Sequence, residues 1–213
     1  MTRPRRARRV RPEVDGSILR WPGAAQRFAL FGEVLWVGVL MAVVCIPVVT
    51  WPAAVAAGSA HLRRFLAAEA TPVSAFFADV RTALPGALVP GVVTVALAAL
   101  AAVDVALLTA GVVPGGLLVA VVATAVAAVA VVLVVLAASV WTPGTPWRML
   151  VAAAPRIARA DISGTVYILV ALGLAAVITW QFLPLGIPAL GLLSFALVAI
   201  GERRMVRLIA RAA

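Results

Sequence analysis

Hydrophobic residues in this chain come in long unbroken runs, and the charges collect between them. Leu84–Val103, Val105–Trp147 and Ile162–Ile200 contain no Asp, Glu, Lys or Arg. Each run exceeds the roughly 18 residues that mark a transmembrane helix candidate. The two-residue alternation of a membrane β-barrel strand is absent. Hydrocarbon offers no water to an unpaired backbone, so helices remain as the spanning element. The pattern predicts an all-α, polytopic membrane protein.

Breaks in the runs divide the chain into six hydrophobic segments, at 28–46, 48–66, 84–109, 117–141, 162–183 and 187–201. Together they form one helical membrane domain over 28–202, between basic tails at 1–27 and 203–213. Five segments are long enough to span; the second reads as a short or re-entrant helix. "AGVVPGG" (110–116) and "PLGIP" (184–188) read as tight turns. "WRMLVAAAPRIARAD" (147–161) sets Arg148, Arg156 and Arg159 beside Leu150, Val151 and Ile157, the composition of an interfacial amphipathic helix. "PVSAFFADVRTAL" (72–84) reads as a similar segment ahead of the third span. Span, basic segment and span thus occur twice, without the identity that would establish a repeat.

The first run poses a geometric question. Residues 28–60 hold a single charge, Glu33, and as one helix would measure about 50 Å, well beyond a bilayer core. Pro47 and Pro52 interrupt it, by a bend or by a reversal. The chain has 18 arginines and no lysine, eight of them in residues 1–27. A single bent span leaves those eight arginines on one side and the other ten on the opposite side. A hairpin turning at Pro47, Thr50 and Pro52 puts all 18 on the same side. Arginine-rich short loops stay cytoplasmic, so the hairpin is the expected geometry and both termini are expected in the cytoplasm. All three outer connections are then short and uncharged.

Composition agrees with a membrane chain: 64% of residues are hydrophobic and 12% charged, against roughly 45–50% apolar in a soluble domain. The net charge of +10 points to an anionic partner for the arginine-rich tails. No groove-reading motif accompanies them, so no nucleic acid is expected. Anionic lipid is the expected partner, at about 1 kcal/mol per basic residue near the surface. The first apolar run is too long for a cleaved secretory signal, and the lone Cys45 carries no disulfide information.

Ionisable groups at membrane depth are costly, which makes Asp104 and Glu33 the intramembrane polar candidates. Asp104 suits either a ligand or proton site in a small carrier or channel, or a hydrogen-bonded carboxyl that joins helices. Glu33 lies near a span end, within reach of Arg27, Arg81 or water. Ala98, Ala102 and Ala106, and Ala120, Thr124 and Ala128, recur at four-residue spacing and suit close helix packing, in the core or in a homo-oligomer. Trp36, Trp51, Trp141, Trp147 and Trp180 fall near the expected interfaces. One histidine, one cysteine and eight dispersed carboxylates give no metal-ligand set and no activated nucleophile. No phosphate-binding loop occurs. The reading is a protein without catalytic residues, metal or cofactor, with a membrane-embedded enzyme as the weaker alternative, since the outer loops lack the polar cluster that one acting on lipid needs.

The stretch from Leu30 to Ala57, followed by residues 71–84, resembles the YesL-type family of small bacterial membrane proteins. Pro47, Thr50, Pro52, Ala53, Ala56 and Ala57 match its proline–threonine–proline element, and Phe76, Phe77 and Arg81 match its short aromatic-basic helix. Trp51 and the arginine-rich tail depart from the pattern. The resemblance implies a bacterial inner-membrane protein that accompanies a carbohydrate ABC transporter. Phe76, Phe77, Arg81, Trp147, Arg148, Arg156 and Arg159 are then the expected cytoplasmic surface for transporter subunits. "VAAAPRIARADISG" is similar to the ATPase-docking loop of ABC permeases, but lacks its leading Glu.

The hairpin topology is checked by single cysteines in a Cys45→Ala background. Val49→Cys, Val112→Cys and Gly186→Cys should react with an impermeant maleimide applied outside, and Arg64→Cys and Arg148→Cys should not. Labelling at position 64 would reverse the topology.

Overall fold

The computed structural model describes residue 22, residues 27–111 and residues 116–212, with side chains as far as 205. These residues form helices joined by short turns, with no strand among them. Seven α-helices follow in order: α1 (Arg27–Val44), α2 (Trp51–Leu66), α3 (Val73–Thr109), α4 (Gly116–Ser139), α5 (Trp147–Ala160), α6 (Ile162–Gln181) and α7 (Gly186–Ala212). Five stretches are long and apolar enough to cross a membrane, namely α1, α3, α4, α6 and Leu183–Met205. The chain is therefore a multi-pass, all-helical membrane protein. The N-terminal tail lies outside the described residues apart from Pro22 and Arg27.

The turn after α1 follows from two prolines and one hydroxyl. Pro47 is extended, and the chain then makes one 3₁₀ turn over Val48–Thr50. The Thr50 hydroxyl lies within hydrogen-bond reach of the Val44 carbonyl and, at 2.6 Å, of the Pro47 carbonyl. Those carbonyls lie at and just past the C-terminal end of α1, where the helix supplies no further N–H to serve them. Pro52 falls in the first turn of α2, where its missing N–H has no helical partner to lose. Downstream the two helices run antiparallel: a Cβ on Gly58 would press on Met41, and His61 meets Glu33.

Helix α2 is the centre of the bundle. Every residue from Pro52 to Leu62 is buried, with α1, α3, α4 and α7 packed around it. At sixteen residues it is about 24 Å long, shorter than the roughly 30 Å hydrocarbon core. Its neighbours cover it, so its length need not match the lipid. Its alanines keep it thin, and packing between membrane helices depends on such close approach. It stops in a reversal in which Glu69 N–H donates to the Arg64 carbonyl and Ala68 takes the left-handed conformation (φ 56°), a position that normally favours glycine.

Glycines set three backbone contacts. A Cβ on Gly38 would strike the Ile187 carbonyl, and one on Gly191 the Val34 carbonyl, so α1 and α7 touch main chain to main chain. Gly91 of α3 receives the Val49 carbonyl at the hairpin turn, and Gly86 receives the Trp147 ring.

Several expectations are corrected. The third span does not begin at 84: α3 is one helix of 37 residues that includes "VSAFFADVRTAL", and Pro85 and Pro90 lie inside it. Each proline is followed by a glycine against which a neighbour packs, and that packing sustains the helix across the missing hydrogen bonds. The C-terminal segment does not stop at 201, since α7 continues to Ala212. Ala98, Ala102, Ala106, Thr124 and Ala128 are exposed rather than packed. The buried row on α3 is Ala83, Ala87, Gly91, Thr94 and Ala101. Trp141 and Trp147 are buried in the protein, while Trp36 and Trp180 are exposed.

The glycine contacts generate a stability test in detergent. Gly38→Val and Gly191→Val should each destabilise by about 1–3 kcal/mol through overpacking, read as a lowered thermal midpoint. Gly173→Ala, where nothing lies within 4 Å of an added Cβ, should leave the midpoint level or higher.

Candidate functional site at the basic end

The ionisable side chains of five helices meet at one end of the bundle. On the hairpin, His61 Nε2 lies 2.6 Å from Glu33 Oε1, with His61 fully buried and Glu33 20% exposed. The two sit at mirror positions about Pro47, fourteen residues before and after it. With the proton on Nε2, the ring donates to the carboxylate and leaves a lone pair at Nδ1, which has no partner. Phe76 of α3 closes the other side, edge-on to the imidazole at 6.1 Å between centroids, and Phe77 stacks edge-on to Phe76 at 5.4 Å.

One turn further along α2, the two adjacent arginines do different work. Arg64 Nη2 donates to Asp79 Oδ2 at 2.6 Å, and Asp79 is only 6% exposed. Arg63 reaches the end of α4, donating to the Ser139 carbonyl at 2.6 Å and the Trp141 carbonyl at 2.7 Å. A cation there satisfies terminal carbonyls and complements the negative end of the helix dipole. A small cavity of about 220 Å³ between Ala60, Arg63, Arg64, Glu69, Thr142 and Pro143 lies beside them.

A third ionic contact joins the later helices. Asp161 accepts from the Gly164 amide at 3.1 Å and caps α6, and its other oxygen accepts from Arg204 Nε of α7 at 3.1 Å. Arg203 stacks over the Tyr167 ring at 5.1 Å. Burial pushes the Asp161 carboxyl up, but the Gly164 amide, Arg204 and Ser163 outweigh it and hold the group below its ordinary value. Its lowered value adds stability above the usual carboxylate range, which is lost as pH falls through it.

These contacts place the other sequence candidates. Pro47, Thr50 and Pro52 form the hairpin turn at the far end. Asp104 is half-buried on α3 between exposed Val103 and Val105 and lines neither the apolar cavity beside Cys45 and Trp51 nor the one between Pro85 and Trp147. Of the expected partner surface, Phe77, Arg81, Arg148, Arg156 and Arg159 are exposed. Phe76, at 0% exposure, and Trp147, at 5%, are corrected to core residues. Phe76 is held by His61, and Trp147 is seated on Gly86.

Sequence reasoning missed the Glu33–His61 pair, the Arg64–Asp79 pair, the Arg63 cap and the Asp161–Arg204 link. The first was open to discovery, because a hairpin centred on Pro47 brings 33 to 61. The others join segments whose register only packing sets. Among the described residues no group of three His, Cys, Asp or Glu side chains could hold a metal. The arrangement neutralises buried charge and ties helix ends together.

The buried pair generates a double-mutant test. Asp79→Leu alone, which strands Arg64, should cost about 3 kcal/mol of stability. Arg64→Met combined with Asp79→Leu should recover most of that loss in the same unfolding assay, because both buried charges are then gone.

Comparison with protein families, with curated proteins and with solved structures found no match to this chain.

Proposed function

We propose that the chain is a non-catalytic accessory or scaffold subunit of a bacterial inner-membrane transport system, with its basic end in the cytoplasm. The observation that carries this reading is the residue of charge left after internal pairing. His61, Arg64 and Arg204 have internal acidic partners, and Arg63 caps α4. Arg81, Arg148, Arg156 and Arg159 make no ion pair among the described residues and face outward, beside exposed Phe77 and Met149. Apolar anchors within a polar, arginine-bearing rim are the composition of a protein-docking surface.

Sidedness rests on the arginines. Those of the described residues gather at the end where α2 and α4 finish and where Asp161, at the start of α6, meets Arg204 of α7, and short arginine-rich connections stay cytoplasmic. The transport association rests on the YesL-type motifs at 47–57 and 76–81. A carrier using Asp104 is the weaker reading, because Asp104 lines neither of the two apolar cavities described above.

The test is recovery of tagged full-length protein from its native membrane in mild detergent. An ABC permease or ATPase subunit should co-purify in fixed ratio. Phe77→Ala combined with Arg156→Glu and Arg159→Glu should cut that recovery at least several-fold while the protein stays folded. Isolation of the chain alone, from membranes containing its neighbours, would sink the proposal.

A further inference from the structure

A groove of about 830 Å³ runs along the bundle between α3, α4 and the start of α5. Its long walls are apolar, with Val89 and Val93 on α3 and Leu133 on α4. From Pro85 to Thr94 it follows ten residues of helix, about 14 Å at the helical rise. Its other features gather at one end. Trp147 is 5% exposed, and its indole N–H has no acceptor. Arg148 lines the same end and is exposed. Arg81 is exposed one helical turn before Pro85, on the same face of α3. No acidic side chain lines the groove.

An apolar slot with a basic mouth and a buried, unanswered donor matches one class of ligand. A buried donor without a partner is costly, and a bound oxygen acceptor removes that cost. Asp79 of α3, the partner of Arg64 on α2, lies only six to seven residues from Pro85 and Gly86, so the mouth is on the basic end of the bundle, where the long apolar part of α3 begins. A headgroup would sit at that level, with a chain running toward the bilayer centre.

We propose that this groove is a specific site for an anionic phospholipid. One acyl chain lies between α3 and α4, the phosphate is held by Arg148 and Arg81, and an ester oxygen accepts from Trp147 Nε1. Bulk lipid of any kind can fill the apolar part. The two arginines select the anionic headgroup, and the indole fixes its depth.

The test uses purified, delipidated full-length protein in detergent, titrated with phosphatidylglycerol or with phosphatidylcholine of the same chains and read by native mass spectrometry. One phosphatidylglycerol should bind in preference to phosphatidylcholine. Arg81→Gln with Arg148→Gln should weaken phosphatidylglycerol roughly tenfold or more, on the scale of two basic contacts at a membrane surface, and weaken phosphatidylcholine, whose phosphate is balanced by its own choline, much less. Ala152→Trp, which fills the groove from an exposed position, should reduce both. Glycerol phosphate in excess should not displace the lipid. Equal retention of the two lipids by the natural chain, unchanged phosphatidylglycerol binding in the double variant, or displacement by glycerol phosphate would each overturn the site. Arg81 and Arg148 also belong to the proposed docking surface. No second protein is present in this titration, so its failure leaves the docking proposal standing, and the converse also holds.

Discussion

A helix of sixteen residues cannot match the hydrocarbon thickness by itself, and α2 holds its place because four other helices cover it. Coverage requires a thin cylinder, and the run of alanines from Ala53 to Ala60 supplies one. Lipid tails are as apolar as leucine, so no hydrophobic force drives these helices together; close contact and satisfied polar groups must do so. Gly38, Gly86, Gly91 and Gly191 belong to the same constraint, because each admits a backbone or a ring where a side chain would hold the neighbour away.

Putting α2 inside fixes where charge can go. His61 and Arg64 are carried into the protein by the helix that bears them, and each arrives opposite a carboxylate from a neighbouring helix. Leaving the Arg64 guanidinium without its carboxylate would be severe at this depth. Arg63 meets a different need, since the last carbonyls of α4 have no helical donors. Helix ends and charges are thereby satisfied together, and the arginines that remain outside define the surface of the basic end.

That surface is the ground for both proposals. Phe77 and the outward arginines of α3 and α5 offer a face for protein, while the groove between α3 and α4 offers one for lipid. Their overlap at Arg81 and Arg148 means that lipid occupancy and protein docking draw on the same charges.

Much of the architecture could be read from the sequence, because hydropathy alone sets how much chain can lie in a bilayer. The helical class, the long apolar spans, the short second helix and the amphipathic helix before Ile162 follow from run length, charge placement and proline. What the sequence left open was packing. Residues 72–84 read as a segment separate from the third span, yet α3 runs through them and on past Pro85 and Pro90, with the Trp147 ring and the Val49 carbonyl seated on the adjoining glycines. Phe76 and Trp147 read as surface, since an aromatic beside an arginine looks interfacial until a neighbouring helix covers it. Ala98 and Ala83 are indistinguishable as sequence, and only the direction in which α3 faces its neighbours buries one and exposes the other. Periodicity and composition are local quantities that the chain carries alone. Which faces meet, and which charges pair, depends on distances between segments far apart in sequence, and those the tertiary structure decided.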